Sequence, residues 1–385
     1  IGAPANPVVK KGDHVLKGQM IADAGGFVSA PVYSSVSGTV KGLEQRFNPT
    51  GSRTECIVIE NDGEYKEIDY DPVKPLNEMT REEILDRIGK AGIVGMGGAG
   101  FPTRVKLSPK EPDKIEYIIA NCAECEPYIT ADYRRMLENT EELVSGMRVV
   151  LSLFPNAKGY FAVEDNKKDC AEKIKAAIAD EPRMDVKLLM TKYPQGAERQ
   201  LIYAVTKQAI NSTMLPADAG CIVDNVETLI GIHTAVVEGR PLMERVITVS
   251  GDAITSPGNF KVLLGTNHQE LIEAAGGFSA EPEKLISGGP MMGFAMVTAD
   301  APVTKTSSSI LAFKEDVVSK NPETACINCG RCVEVCPSRI VPSRLADLAQ
   351  RHDEDAFVAM IGLECVECGS CSYVCPAKRP LKQAI

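Results

Sequence analysis

One pattern of cysteines constrains this chain more than any other feature. The tail reads Cys326-x-x-Cys329-x-x-Cys332-x-x-x-Cys336-Pro337, then Cys365-x-x-Cys368-x-x-Cys371-x-x-x-Cys375-Pro376. Each cysteine recurs 39 positions later, so the tail is a duplicated unit. A segment this short and this rich in thiols has to fold around something that binds thiolates. Zinc sites pair two C-x2-C knuckles across a longer gap, not three evenly spaced cysteines. Disulfide frameworks belong to secreted chains. No basic stretch followed by an apolar core opens this one. It starts at Ile1 rather than Met, and we expect its own beginning to lie upstream.

The C-x2-C-x2-C-x3-C-P run is the bacterial ferredoxin signature for [4Fe–4S] clusters. Three thiolates at i, i+3 and i+6 wrap three corners of one cubane, and the fourth points to the other cubane. The expected ligand sets are therefore crossed. Cys326, Cys329, Cys332 and Cys375 serve one cluster; Cys365, Cys368, Cys371 and Cys336 serve the other. Gly330 and Gly369 leave backbone room beside the sulfurs. Apolar spacing between the halves predicts helix over Ser343–Gly362. Two adjacent cubanes conduct single electrons and do no bond chemistry themselves.

Composition matters mainly for what it excludes. At 385 residues and 44% hydrophobic, the chain is long and apolar enough for several cores. Its net charge of −10 lacks the basic footprint of a nucleic-acid binder. With no Trp and 5% aromatics, a base- or sugar-stacking platform is not expected. No apolar run approaches the roughly 18–20 residues that span a bilayer.

Residues 1–60 have no helical period and show short strands near Val32, Val40 and Cys56–Ile59. The order V-x-x-G-D-x-V-x-x-G-Q, then A-P-x-x-S-x-V-S-G-x-V, resembles biotinyl/lipoyl-type β-sandwich domains. A carrier needs a hairpin-tip lysine, and Ile21–Val36 has none, so a structural docking domain is expected. His14 reads as a surface residue.

Thr80 with Glu83 forms a capping box opening a helix over Thr80–Ala91. Gly95-Met96-Gly97-Gly98-Ala99-Gly100-Phe101-Pro102-Thr103 follows. It matches G-x-G-x-x-G, but a helix precedes it where a dinucleotide fold needs a strand. The glycines still allow backbone N–H groups to approach a ring or phosphate closely. Lys106 can add a positive charge. Strands at Tyr117–Ala120, Gly159–Val163 and Val186–Met190 alternate with helices over Ala131–Leu151, Cys170–Ala179 and Glu198–Lys207, which argues a parallel sheet. Such sheets bind ligands at the carboxyl ends of strands. Asn121 and Glu124 lie at one such end, and Tyr193 to Glu198 at another. Asp224-Asn225-Val226-Glu227-Thr228 opens a further helix, Leu229–Glu238, whose N-terminus can hold a phosphate. Cys122 and Cys125 read as bland strand-end cysteines, Cys56, Cys170 and Cys221 as buried thiols, and Met291-Met292 as packing residues. Strand Arg245–Gly251, a helix near His268–Ala275 and strand Leu285–Ser287 make a third α+β unit.

Taken together, G-x-G-G-A-G-F-P-T, N-x-x-E-x-E-P, Y-x-x-G-x-E and N-V-E-T-L resemble the flavin- and NADH-binding subunit of respiratory complex I. Over nearly its whole length the chain more closely resembles the C-subunit family of Rnf complexes, the ion-translocating ferredoxin:NAD oxidoreductases. The resemblance implies a multidomain α/β and α+β protein in four parts. These are a barrel-sandwich hybrid at 1–70, an FMN-binding α/β domain at 71–240, an SLBB β-grasp domain at 241–315 and an α-helical two-cluster ferredoxin domain at 316–385. It implies FMN lined by Gly95, Gly97, Gly98 and Gly100, with Phe101 stacking near the nucleotide. Lys106 would lie near flavin and nicotinamide. Asn121 and Glu124 would bond the flavin ring or ribityl chain. Tyr193 and Gly196 would form the far wall, with Glu198 toward NADH, and Asn225 and Thr228 would hold the FMN phosphate. Met96, Arg104, Ala123 and Ala197 depart from the complex I pattern of Arg, Gly, Asp and Glu. The implied activity is hydride exchange between NAD(H) and FMN, with single electrons passing through two [4Fe–4S] clusters. No catalytic acid or base is named, because the flavin is the redox centre. Implied partners are the iron–sulfur B subunit and the membrane subunits that move ions, at the cytoplasmic face of the membrane. Three rivals stand beside this reading. Cobalamin reductases of the diol-utilisation type resemble the same modules. A flavin-less adaptor would relay electrons through the clusters alone. A subunit of an NAD-reducing hydrogenase or formate dehydrogenase would usually carry an additional cluster motif.

Overall fold

The computed structural model describes residues 2–385. The front is two small sheets facing each other. Strands β1 (Asn6–Pro7), β3 (Met20–Asp23) and β4 (Val32–Tyr33) make one; β2 (His14–Val15), β5 (Gly38–Phe47) and β6 (Arg53–Asn61) make the other. Val15, Ile21 and Val40 fill the space between them. The loop between β3 and β4, where a carrier would present its lysine, instead presents an exposed Phe27. His14 is on the surface, 3.3 Å from Asp62. Cys56 is half-exposed on β6, not buried as expected, because this long hairpin runs out past the small core.

Helix α1 (Arg81–Lys90) starts at the capping box read from sequence. Thr80 Oγ1 accepts from the Glu83 amide, and the Glu83 carboxylate accepts from the Thr80 amide. The glycine loop leads into a single turn, α2 (Thr103–Lys106), which Pro102 starts. Four parallel strands follow: β7 (Tyr117–Cys122), β8 (Lys158–Glu164), β9 (Met184–Leu189) and β10 (Cys221–Asn225). Their order is β10-β7-β8-β9. The chain runs outward from β7 through β9, then returns to place β10 on the other side of β7. A crevice opens where the order reverses, and ligands of open α/β sheets bind there.

The expected helix over Ala131–Leu151 is two helices, α3 (Ala131–Glu138) and α4 (Thr140–Leu153). Asn139, at φ −124° and ψ 40°, breaks the run so that each half can pack separately. Helices α5 (Lys168–Ala177), α6 (Glu198–Thr206) and α7 (Val226–Val236) complete the domain. Alternate residues of β7 face opposite layers. Ile118 and Ala120 join a core with α1, α4 and α7, whereas Ile119 joins Leu201 and Ile202 of α6. This is why Tyr117–Ala120 reads as a continuous apolar run.

The third unit is a sheet of β11 (Glu244–Ser250), β12 (Gly258–Leu263), β13 (Lys284–Ser287), β14 (Phe294–Ala295) and β15 (Ser309–Phe313), in the order β12-β11-β15-β13-β14. Leu271 and Ile272 of α8 (His268–Ala274) pack on it. The tail holds α9 (Arg331–Glu334), α10 (Pro342–Gln350), α11 (Glu354–Ala359), α12 (Ser370–Tyr373) and α13 (Leu381–Ala384). Again one expected helix, Ser343–Gly362, is split. His352 takes φ +56°, and the Asp353 carboxylate caps α11 at the Ala356 amide. Among the described residues no helix is long and apolar enough to cross a membrane.

Candidate functional site

The duplication read from the tail is written into its backbone. Asn328 and Glu367 both have positive φ, as do Gly330 and Gly369, and Arg339 and Lys378, each pair 39 residues apart. Helices α9 and α12 occupy equivalent positions. In each half the amide two residues after the first cysteine donates to its sulfur: Asn328 to Cys326 at 3.5 Å, and Glu367 to Cys365 at 3.4 Å. Such donors favour thiolates that hold a cluster.

Two spaces open between the halves. One, of about 390 Å³, is lined by Cys326, Cys329, Cys332 and Cys375. The other, of about 340 Å³, is lined by Cys365, Cys368, Cys371 and Cys336. Each takes three cysteines from one run and the fourth from the other. All of these cysteines are free thiols. Among the described residues no three His, Cys, Asp or Glu side chains converge as on a single ion. The thiols surround a space instead, which fits a multi-atom cluster and not a lone zinc.

The second constellation lies at the switch point. Asn121 of β7 and Asn225 of β10 are direct register partners at the carboxyl ends of their strands. The glycine loop closes beside them: Gly95 N–H donates to the Phe101 carbonyl at 2.8 Å, and Gly100 N–H to the Gly95 carbonyl at 3.1 Å. Gly97, Gly98 and Ala99 are exposed at its tip, and Phe101 is half-buried. Gly98 sits at φ +135°, which a side chain would strain. Met96 N–H donates to Thr228 Oγ1 at 2.9 Å, tying the loop to the start of α7. Asn225 caps α7 through the Glu227 amide at 2.9 Å and donates to Asp132 at 2.6 Å. Lys106 donates to the Val223 carbonyl at 2.7 Å and lies 3.5 Å from Asp224. Glu198, at the first position of α6, is exposed.

Across the crevice, Asn121 Nδ2 donates to the Gly196 carbonyl at 2.8 Å, and Gly196 N–H reaches Cys125 Sγ at 3.4 Å. A Cβ on Gly196 would stand 2.3 Å from the Ala123 carbonyl oxygen, so only glycine fits. Glu124 does not project freely. Its two carboxylate oxygens accept the Asp132 and Tyr133 amides at 2.9 and 3.2 Å, closing the start of α3. Burial, then the nearby Asp132 charge, raises the Glu124 pKa, and burial, then Glu227, raises that of Asp132. Burial likewise pushes the Cys125 thiol up to about 11, so it stays protonated. Cys122 is fully buried in the core.

Some buried polar atoms here make no hydrogen bond within the protein. Both carboxylate oxygens of Asp224, 1% exposed, accept no hydrogen bond, nor does the buried Thr103 hydroxyl have a partner. Asp224 is offset by Lys106 at 3.5 Å, and leaving a buried hydroxyl unpaired costs about 1–3 kcal/mol. An exposed glycine tip, a helix N-terminus and unsatisfied polar atoms in one crevice fit a flat, phosphorylated polar cofactor.

Several residues here were not singled out in the sequence. Arg245, 3% exposed on β11, donates to the Lys305 carbonyl at 2.5 Å and to the Met96 carbonyl at 3.1 Å, holding the glycine loop from the third unit. A charged residue on the same strand face as Ile247 and Val249 was the available signal. Lys305 Nζ bonds the Pro31 and Gly92 carbonyls, joining the front to the α/β domain. Glu126 accepts the Met291 and Met292 amides at 3.0 and 2.9 Å. Those methionines matter here through their backbone, and Met292 is 43% exposed where packing was expected. Tyr193 donates to the Cys368 carbonyl at 2.6 Å, and Arg199 pairs with Glu364 at 3.0 Å, so the tail docks on the rim of the crevice.

Four family models match along the chain. Residues 1–64 match the RnfC barrel sandwich hybrid domain, 88–234 the Nuo51 FMN-binding domain, 246–295 the SLBB domain and 318–376 the 4Fe-4S dicluster domain. The C subunit of the proton-translocating ferredoxin:NAD(+) oxidoreductase complex from Clostridium ljungdahlii is 46% identical, covering 91% of this chain and 77% of that protein. The Na(+)-translocating counterpart from Acetobacterium woodii is 44% identical, covering 100% of this chain and 87% of its own length. The C subunit of an ion-translocating oxidoreductase complex from Vibrio cholerae is 38% identical over 92% of this chain but 46% of its own. Among solved structures, an NAD+-reducing [NiFe]-hydrogenase in the H2-reduced state shares the fold at a TM-score of 0.56. It is 18% identical, and the match covers 77% of this chain and 60% of that one.

Proposed function

Because the chain belongs to the C-subunit family of ion-translocating ferredoxin:NAD(+) oxidoreductase complexes, we propose that its switch-point crevice exchanges hydride with NAD(H) at FMN and that its tail carries the electrons onward. When bound, FMN takes or gives a hydride and passes electrons singly, and each iron–sulfur cluster carries one electron. The chain's own work is to bind, orient and exclude water. The glycine tip Gly95–Gly100 lets backbone amides approach the cofactor, and the start of α7 at Asn225 and Thr228 offers amide dipoles to its phosphate. Asn121 and Gly196 fix the opposite wall, and Lys106 supplies a positive charge beside buried Asp224. Phe101 and Glu198 border the open side where the nicotinamide nucleotide enters. The crossed cysteine sets would hold the two clusters as thiolates. The cluster that Cys365, Cys368, Cys371 and Cys336 would hold adjoins the docked edge at Cys368, and Cys326, Cys329, Cys332 and Cys375 would hold the other, each supplying single-electron transfer.

The observation that carries this reading is the docking of the tail at Glu364 and Cys368 on the loop that walls the crevice. Hydride chemistry and single-electron carriers then share one interface. We assign the chain to the cytoplasmic face of the membrane, held by the other members of the complex, where NAD(H) is available. The anaerobic visible spectrum before and after NADH tests the proposal. Bleaching of flavin bands together with the broad iron–sulfur absorbance is expected. Cluster absorbance without flavin bands, unresponsive to NADH, would make the chain a relay adaptor.

A further inference from the structure

We propose that Tyr193 is the positioning residue that couples the flavin crevice to the cluster held by Cys365, Cys368, Cys371 and Cys336, through its hydroxyl bond to the Cys368 carbonyl. This rests on the proposed flavin function and goes beyond the role of crevice wall. The bond is 2.6 Å long and joins residues 175 positions apart. Both of its ends are fixed. On one side, the loop carrying Tyr193 is held to the end of β7 by Asn121 bonding Gly196 and by Gly196 bonding Cys125. On the other, the residue after Cys368 lies against the third unit: a Cβ on Gly369 would stand 3.1 Å from the Met291 carbonyl oxygen. The Cys368 peptide is thus held between two domains.

The duplication supplies an internal control. Cys329 is the 39-residue equivalent of Cys368, on the same backbone turn, yet it is exposed whereas Cys368 is 7% exposed. What differs is the surface against which each half lies. Groups just outside the ligands orient them, and burial and hydrogen bonding tune cluster potentials. Tyr193 therefore acts on one cluster and not on its twin. The Arg199–Glu364 pair docks the same edge, and Glu364 also bonds Ser212, but neither contact involves a cysteine peptide. The reaction served is balanced as NADH plus two oxidised clusters giving NAD+, a proton and two clusters each reduced by one electron.

The test uses the fully loaded, anaerobic chain. Tyr193→Phe removes only the hydroxyl. After rapid mixing with NADH, the rate of cluster bleaching relative to flavin bleaching should fall by about tenfold, the lower range for loss of such a supporting partner. In a redox titration followed by electron paramagnetic resonance, one cluster signal should shift in potential while the other stays. Tyr193→His, which keeps a ring donor, should recover most of the ratio. Tyr203→Phe, which removes an exposed hydroxyl on α6, should leave ratio and potentials unchanged. Tyr193→Met serves the same comparison should Tyr193→Phe not fold. Unchanged ratio and potentials in Tyr193→Phe overturn the proposal, as does Tyr203→Phe reproducing its effect. Loss of flavin with both potentials intact also overturns it, because Tyr193 then serves the flavin alone. Failure of the flavin function itself looks different: the unsubstituted chain would show no flavin bleaching.

Discussion

Replacing Arg245 with methionine tests whether the third unit holds the glycine loop. The guanidinium is 3% exposed and bonds the Lys305 and Met96 carbonyls. Burial lowers its pKa, while Glu227 and Asp132 oppose that shift. Methionine fills similar volume but removes two charge-assisted hydrogen bonds, each worth about 1.5–3 kcal/mol. It also leaves the half-buried Asp132 with less compensation, although Glu227 keeps Arg135 at 2.7 Å. These losses are not additive, and removing one side of a buried charge cluster costs about 3–5 kcal/mol. For a domain of this size, each kcal/mol moves Tm by roughly 2–4 °C, so a fall of about 6–20 °C is expected. Sign and pH are linked. Burial already raises the Asp132 pKa, and losing the cation raises it further. The folded variant then binds more protons than the unfolded one over a wider range, and its deficit grows as pH rises. Thermal unfolding of the loaded protein followed by flavin fluorescence at pH 5.5, 7 and 8.5 measures both effects. Arg245→Lys keeps the charge but not the two-pronged geometry, and should fall between. A Tm change under about 2 °C at every pH, or a deficit that shrinks as pH rises, would refute the reasoning.

Three further outcomes are expected. Cys336→Ser should abolish the same paramagnetic signal as Cys365→Ser, and Cys375→Ser the same signal as Cys326→Ser; pairing within each run would uncross the ligand sets. Chelating the iron should unfold the tail first, because its own apolar core is small, built around Ala346, Cys371 and Leu381 with Ile340, Leu345 and Ala377 also buried. Limited proteolysis should then cut beyond residue 316 while the α/β domain keeps its melting temperature. Glu124→Gln should flatten the pH profile of stability. Burial and then Asp132 raise the Glu124 pKa. Its stabilising share is therefore full below the ordinary carboxylate range and is lost as pH rises through the raised value. Like the protonated acid, the amide keeps one carbonyl oxygen to accept one of the two backbone N–H groups, without a charge. Melting midpoints of the two chains should therefore agree at the acid end and separate toward alkaline pH, where the variant is the more stable; a gap that closes toward alkaline pH would count against it.

Local spacing made much of this protein legible in the residues themselves. The cysteine repeat dictated a duplicated tail, because thiolates around a cubane leave few options for loop length. Thr80 and Glu83 specified a helix start, because a capping box involves only its own four residues. Apolar runs at Tyr117 and Gly159 marked buried parallel strands. Periodicity alone missed the breaks at Asn139 and His352, because apolar spacing can continue through a turn when both flanking helices pack on the same core. What tertiary structure decided was which polar group meets which. Glu124 and Asn225 were legible as residues at a ligand-binding edge. Only the fold turned Glu124 onto the start of α3 and joined Asn225 to Asp132, 93 positions away. The same holds for Arg245 on the glycine loop and Tyr193 on Cys368. Those partners lie 149 and 175 positions apart. Backbone geometry and side-chain period act over a few residues and can be read from the chain. A hydrogen bond between distant groups exists only after several cores have packed and brought both ends to one place.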